Sequence, residues 1–78
     1  MPTLSSLPQL GLIVAARRTE LGFSQAYVAE LAGMSRRALQ QIEAGKTNPT
    51  FSSLLSLLHV LGLQFSIDKR TTHENEVR

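Results

Sequence analysis

The amino-acid sequence predicts one mainly α-helical domain that is followed by a single short β-strand. Two observations indicate this class. Residues 7–62 divide into four helical segments. The boundaries are marked by hydroxyl residues, which can cap a helix, and by glycines, which can end one. The stretch "LQFSID" then alternates apolar and polar residues with the period of two that is typical of a strand. At 78 residues the chain corresponds to one domain.

The size and composition of the chain limit how it can be stabilised. A chain this short buries only about 60% of the surface that its unfolded form exposes. It contains no cysteine, which excludes disulfides and thiolate zinc sites, so a second subunit is the remaining common source of stability. No apolar run reaches the ~18 residues of a membrane span. The start "MPTLSSLPQL" lacks the features of a signal peptide, and we expect a soluble cytoplasmic protein without a membrane partner.

The first helix is predicted to begin at Leu7 or Pro8, because proline is favoured at the first helical position. It runs through "QLGLIVAARRTEL" and ends at Gly22, a residue type that readily adopts the left-handed conformation at a helix end. Residues 1–6 are small and polar, and we expect a flexible N-terminal arm.

The second and third helices form a pair. Ser24 is expected to cap the second helix, which ends at Gly33. Ser35 is expected to cap the third helix, which ends at Gly45. Only the turn "GMS" separates the two helices, and two helices joined so tightly form a helix-turn-helix.

The fourth helix is predicted to begin after Thr50, beyond the loop "KTNP", and to end at Gly62. The strand at residues 63–68 needs a partner for its backbone groups, and no other segment has the strand pattern. We therefore expect it to pair antiparallel with the same strand of a second copy about a two-fold axis. The polar residues 69–78 are expected to form a flexible tail.

The fourth helix is too apolar for a single buried face, which suggests that its surplus apolar residues lie at a subunit interface. The alternative is that it is simply the central helix of a small core. The residues predicted at the dimer interface are Leu55, Leu58, Leu63, Phe65 and Ile67.

The third helix carries the most informative side chains. Leu39 and Ile42 are three residues apart and point inward together. The opposite face presents Arg36, Arg37, Gln40 and Gln41. Arginine can donate two hydrogen bonds to guanine and glutamine can pair with adenine, so this face suits base reading in the major groove of DNA. Any exposed helix face can carry such residues, but the caps, the turn and the inward pattern all agree with DNA binding.

Other chemistry has little support. Ser52, Ser53 and Ser56 have no histidine or carboxylate arranged to activate them. His59 stands alone among leucines and does not make a metal site. Arg17 either contacts a phosphate or covers apolar surface. We expect neither an enzyme nor a bound metal or cofactor.

The stretch "SQAYVAELAGMSRRALQQIEAGKTNPTFSSLLSLLHVLG" resembles the Cro/C1-type, or XRE-type, helix-turn-helix domain of phage and bacterial repressors. The resemblance covers roughly residues 10–62. The segment "LGLQFSI" is similar to the C-terminal strand of HipB-type antitoxin repressors, in which two such strands form a sheet between subunits.

The resemblance implies a lambda-repressor-like fold of four to five helices and a role for individual residues. It places the base-reading positions at Arg36, Arg37, Gln40 and Gln41. It places contacts to the DNA backbone at Gln25, Ser35, Lys46, Thr47 and Asn48. It implies that Arg18 and Glu43 form a structural ion pair between the first and third helices.

The function expected from the resemblance is a sequence-specific transcriptional repressor of a bacterial, nucleoid-associated type. It would act as a homodimer on an inverted-repeat operator in double-stranded DNA. It would also be the antitoxin of a HipA-like kinase toxin, repressing the operon that the two share. The alternative is a protein-interaction adaptor that uses the same fold without DNA.

Overall fold

The computed structural model describes residues 6–67 and residue 69. It contains four α-helices, which confirms the mainly helical class: α1 Leu7–Leu21, α2 Gln25–Ala32, α3 Arg36–Glu43 and α4 Phe51–Val60. The described residues include neither a fifth helix nor a β-strand. No helix in this part of the chain is both long and apolar enough to cross a bilayer.

Each helix is directly preceded by an N-cap residue, whose hydroxyl oxygen accepts a hydrogen bond from the backbone N–H three residues later. The four capping residues are Ser6, Ser24, Ser35 and Thr50. The donor–acceptor distances lie between 3.0 and 3.2 Å. The structure confirms three caps that the sequence predicted, and it adds Ser6. A cap of this kind stabilises a helix by about 1 kcal/mol.

The turn between α2 and α3 is built around Gly33. This residue has a φ of 73°, which a side chain would strain. Its N–H donates to the carbonyl of Glu30 at 3.2 Å, and the N–H of Met34 donates to the carbonyl of Ala29 at 2.9 Å. These two bonds end α2 and redirect the chain, so that α3 begins at Arg36.

The core lies where α1 packs against α3, and where α2 packs against α3 and α4. Its buried side chains are all apolar: Leu10, Val14, Val28, Ala29, Leu39, Ile42, Leu57, Leu58 and Leu61. Burying each of the larger ones contributes about 1.5–3 kcal/mol. This core fixes the orientation of α3 relative to the other three helices.

Residues 63–67, the described part of the predicted strand 63–68, have no regular secondary structure in the single chain. A lone strand has no partner for its backbone groups, which is the physical reason. The Phe65 ring instead lies nearly perpendicular to the Phe51 ring, with centroids 5.6 Å apart and an interplanar angle of 81°. Since Phe51 begins α4, the segment runs back along that helix. Asp68 and the greater part of the predicted arm and tail lie outside the described residues.

Candidate nucleic-acid interface

The recognition face, defined as Arg36, Arg37, Gln40 and Gln41, occupies the side of α3 that points away from the core. On the inward side Leu39 and Ile42 are 0% and 3% exposed. The two arginines and Gln40 are exposed, and Gln41 is half-buried. Because Leu39 and Ile42 are buried in the core, the orientation of the recognition face relative to the rest of the domain is fixed.

An ion pair between Arg18 and Glu43 joins α1 to the end of α3. The Arg18 Nε donates to Glu43 Oε2 at 2.7 Å, and its Nη2 donates to Oε1 at 3.1 Å. The side chains are only 18% and 9% exposed. A third bond runs from Arg18 Nη1 to the carbonyl of Phe23 at 2.9 Å, which ties in the loop before α2. The hydrogen bond to Glu43 is the main reason that the pKa of Arg18 is raised above its ordinary value.

Two glutamines extend this ion pair towards the recognition face. Gln25, the first residue of α2, donates from Nε2 to Glu43 Oε1 at 2.9 Å. Gln40 of α3 donates from Nε2 to Gln25 Oε1 at 3.3 Å. A continuous series of hydrogen bonds thus runs from Arg18 in α1 to Gln40 on the surface of α3.

Four of the residues expected to follow a DNA backbone lie at the two ends of α3, and the fifth, Gln25, begins α2. Ser35 caps the N-terminus and is exposed. Lys46 and Asn48 are exposed in the loop after the helix, and Thr47 between them is half-buried. The N–H of Lys46 donates to the carbonyl of Gln41 at 2.9 Å, which fixes the start of this loop to the last turn of α3.

Arg17 has a structural role that sequence reasoning left open. Its Nε donates to the carbonyl of Leu61 at 2.8 Å, and its Nη1 lies 3.1 Å from Glu20 Oε1. The guanidinium therefore binds the C-terminal end of α4. No sequence signal could have found this contact, because 44 residues separate its partners.

A second exposed region, the C-terminal apolar patch, consists of Phe51, Leu55, Phe65 and Ile67. These side chains are between 39% and 83% exposed. Leu63, which the sequence placed at the interface, is half-buried against the core. Leu58 differs from the expectation, since it is only 8% exposed and packs inside its own subunit. The Phe51 ring belongs to this surface although the sequence did not single it out there.

Within the described part of the chain, no three His, Cys, Asp or Glu side chains lie together as metal ligands would. The Arg18 guanidinium is committed to Glu43 by two hydrogen bonds. The exposed polar side chains of α3 and its loop are therefore the main chemical feature of this surface.

The helix-turn-helix family model HTH_3 matches residues 14–67. The chain belongs to the HTH_3 helix-turn-helix family. It is 42% identical over 50 residues to an uncharacterized HTH-type transcriptional regulator of Haemophilus influenzae, covering 64% of this chain and 51% of the relative. It is 43% identical over 49 residues to the transcriptional regulator PuuR of Escherichia coli, covering 63% of this chain and 26% of PuuR. The HTH_3 chain thus spans about half and about a quarter of the lengths of these relatives.

Solved structures have the same fold. The restriction-modification controller protein C.AhdI from Aeromonas hydrophila superposes with a TM-score of 0.72 at 29% identity, over 74% of this chain and 88% of C.AhdI. A chain of the HipA–HipB–O2–O3 complex superposes with a TM-score of 0.78 over 88% of this HTH_3 chain and 97% of the other. That second likeness is at 20% identity and concerns the fold alone.

Proposed function

We propose that this HTH_3 protein is a sequence-specific DNA-binding transcriptional repressor that acts as a homodimer on an inverted-repeat operator. The observation that carries the proposal is the recognition face, in which Arg36, Arg37 and Gln40 are exposed on a helix whose opposite side is buried in the core. The relatives in Haemophilus influenzae and Escherichia coli are HTH-type transcriptional regulators, which supports the same reading.

Contacts to phosphates would position α3. Lys46 supplies a positive charge, and Asn48 and Thr47 supply neutral donors in the loop that leaves α3. The Ser35 hydroxyl accepts its capping bond and keeps its own hydrogen for a phosphate oxygen. Gln25 uses one amide hydrogen on Glu43 and retains the second.

The recognition face would then read base edges in the major groove. Arg36 and Arg37 are suited to guanine O6 and N7, and Gln41 to adenine N6 and N7. Neither arginine has a hydrogen-bond partner among the described residues, so both are free to pair with DNA.

Dimerisation would use the C-terminal apolar patch and the segment 63–68. Pairing this segment with its copy would turn it into the antiparallel strand that the single chain does not form. In such a dimer the two half-site centres should lie about one turn of DNA apart, ~34–36 Å. Repression would result from occupancy of a promoter and requires no chemistry.

A narrower function, that of an antitoxin to a HipA-like kinase toxin, is a second candidate. It is favoured by the strand motif and by a fold that matches 97% of a chain in the HipA–HipB–O2–O3 complex. An adjoining reading frame for a kinase-like protein would support it. The adaptor alternative shares the two exposed arginines, because arginine is also common in protein–protein interfaces, and site selection from DNA separates it from the main proposal.

Selection of binding sites from a random duplex library tests the main proposal. The purified chain should enrich an inverted repeat and bind it at least about a thousandfold more tightly than unrelated DNA, the lower end of the range usual for specific binding. Failure to enrich any sequence in low salt would refute specific DNA binding and favour the adaptor. Enrichment of a single, unrepeated site would refute the two-fold dimer.

A further inference from the structure

In the series of hydrogen bonds that links Arg18 to Gln40, only one assignment of donors and acceptors is possible. The Glu43 carboxylate already accepts two bonds from the Arg18 guanidinium, and a carboxylate offers acceptors alone. Gln25 must therefore turn its amide nitrogen towards Glu43, at 2.9 Å. This choice places the Gln25 oxygen on the side that faces Gln40.

The orientation of the Gln25 amide in turn determines the orientation of the Gln40 amide. The Gln25 oxygen can only accept, so Gln40 must present its amide nitrogen to it, as observed at 3.3 Å. The orientation of a glutamine amide is usually uncertain, because its two ends have nearly the same shape. Here the Glu43 carboxylate, which can only accept hydrogen bonds, determines the amide orientation of both Gln25 and Gln40.

The consequence is that the outward-facing groups of Gln40 are known. Its oxygen has no partner among the described residues, and one of its two amide hydrogens remains unused. Gln40 is exposed on α3. It therefore offers one acceptor and one donor beyond the protein. Adenine matches this pattern with its N6 donor and N7 acceptor, whereas guanine presents two acceptors, O6 and N7.

We propose that Gln40 is a specificity-determining residue that selects adenine over guanine, and that Gln25 is the positioning residue that imposes this choice from Glu43. The inference rests on the proposed function, since it names the base that one side chain of the recognition face reads. Without Gln25, the Gln40 amide could rotate by half a turn and offer two N–H groups to guanine instead. The ion pair thus contributes to specificity as well as to stability.

Library selection with three variants tests this inference. Gln40→Met removes the amide, and the operator position whose preference disappears identifies the base that Gln40 reads. We expect that base to be adenine in the parent, with guanine there binding about tenfold less tightly. Gln25→Met keeps Gln40 but releases it, and should reduce the same adenine-to-guanine ratio to less than about threefold. Thr19→Ala removes an exposed polar side chain of α1, outside α2, α3 and the proposed dimer interface, and should leave the ratio unchanged.

The readout separates positioning from a phosphate contact or a folding defect. Loss of a phosphate contact at Gln25 would weaken binding to all sequences equally and leave the ratio intact, which would overturn the inference. A preference for guanine at the Gln40 position in the parent would overturn the inferred amide orientation. If Gln25→Met fails to show a cooperative thermal transition, Gln40→Lys decides, because its ammonium offers only donors and should convert the preference to guanine. A parent protein that selects no sequence would contradict the proposed function instead.

Discussion

Gly11 of α1 lies directly against the carbonyl of Ile42 in α3. A Cβ atom at Gly11 would stand 2.6 Å from that oxygen and would also meet the carbonyl of Glu43. Both obstacles are backbone atoms and cannot rotate away as a flexible side chain could. The absence of a side chain at this one position is therefore what allows α1 to pack closely on the end of α3.

Gly11→Ala is expected to destabilise the fold by about 2 kcal/mol, because the added methyl group forces α1 and α3 apart. Helix propensity alone predicts the opposite sign, a gain of about 1 kcal/mol. Urea unfolding followed by circular dichroism measures the difference. The control is Ala16→Gly at an exposed position of the same helix, which should cost about 1 kcal/mol through propensity. A stabilised Gly11→Ala variant would contradict the close contact.

Arg18→Met should lower the free energy of unfolding by about 3 kcal/mol, because it leaves Glu43 largely buried without its counter-charge. Thermal unfolding should show a fall in Tm of roughly 12–24 °C for a domain of this size. The control is Glu20→Gln, which breaks the surface ion pair between Glu20 and Arg17. The Glu20 side chain is 68% exposed, so the free energy of unfolding should fall by less than about 1 kcal/mol. Equal losses in the two variants would show that the Arg18 pair has no special structural role.

Arg37→Ala should weaken binding to the selected operator by about 1–3 kcal/mol and relax the preference at one base position. The reason is the loss of a bidentate contact from the centre of the recognition face. Fluorescence anisotropy with matched and mutated duplexes measures both effects. Lys69→Ala removes a positive charge outside the helix-turn-helix and should leave the base preference unaltered. An Arg37→Ala variant with the parent's affinity would rule out base reading by this residue.

Lys46→Ala should weaken binding to specific and unrelated DNA by the same factor, because a phosphate contact carries no sequence information. Titration at several salt concentrations should show the slope of log K against log salt become smaller by about one unit. The parent provides the reference slope. An unchanged slope would mean that the Lys46 ammonium does not neutralise a phosphate.

Phe65→Asp should convert dimers into monomers, because it places a charge in the C-terminal apolar patch and removes the ring that contacts Phe51. Sedimentation at micromolar concentration measures the subunit state. Leu12→Asp is the matched control, since Leu12 is 70% exposed on α1 and lies outside the patch. A Phe65→Asp variant that sediments as an intact dimer would exclude this surface as the interface.

The sequence predicted the local features of the fold well. Capping by Ser24, Ser35 and Thr50 depends on residues three positions apart, and a pattern of that range can be read directly. The inward orientation of Leu39 and Ile42 also follows from helical spacing alone. These local rules were sufficient to predict which side of α3 faces the core, whereas base reading by the opposite side stays a prediction.

Features that depend on distant contacts could not be predicted in the same way. Composition does not reveal that Gln25 joins Gln40 to Glu43, because the geometry arises only when α2 and α3 have packed. Leu58 was assigned to an interface because an apolar helix does not indicate which of its sides meets its own core. The predicted strand at 63–68 has no strand partner within the described residues, so its pairing with a second chain stays a prediction.

The bond from Arg17 to the carbonyl of Leu61 has a consequence for the geometry of the proposed dimer. It clamps the end of α4 to α1, and so sets the exit angle at which residues 63–67 leave the helical body. In a two-fold assembly that angle governs how far apart the two subunits hold their α3 helices. The spacing of half-sites that the dimer accepts would then depend partly on Arg17 of α1. This would hold although all the observed hydrogen bonds of the Arg17 guanidinium lie within its own subunit.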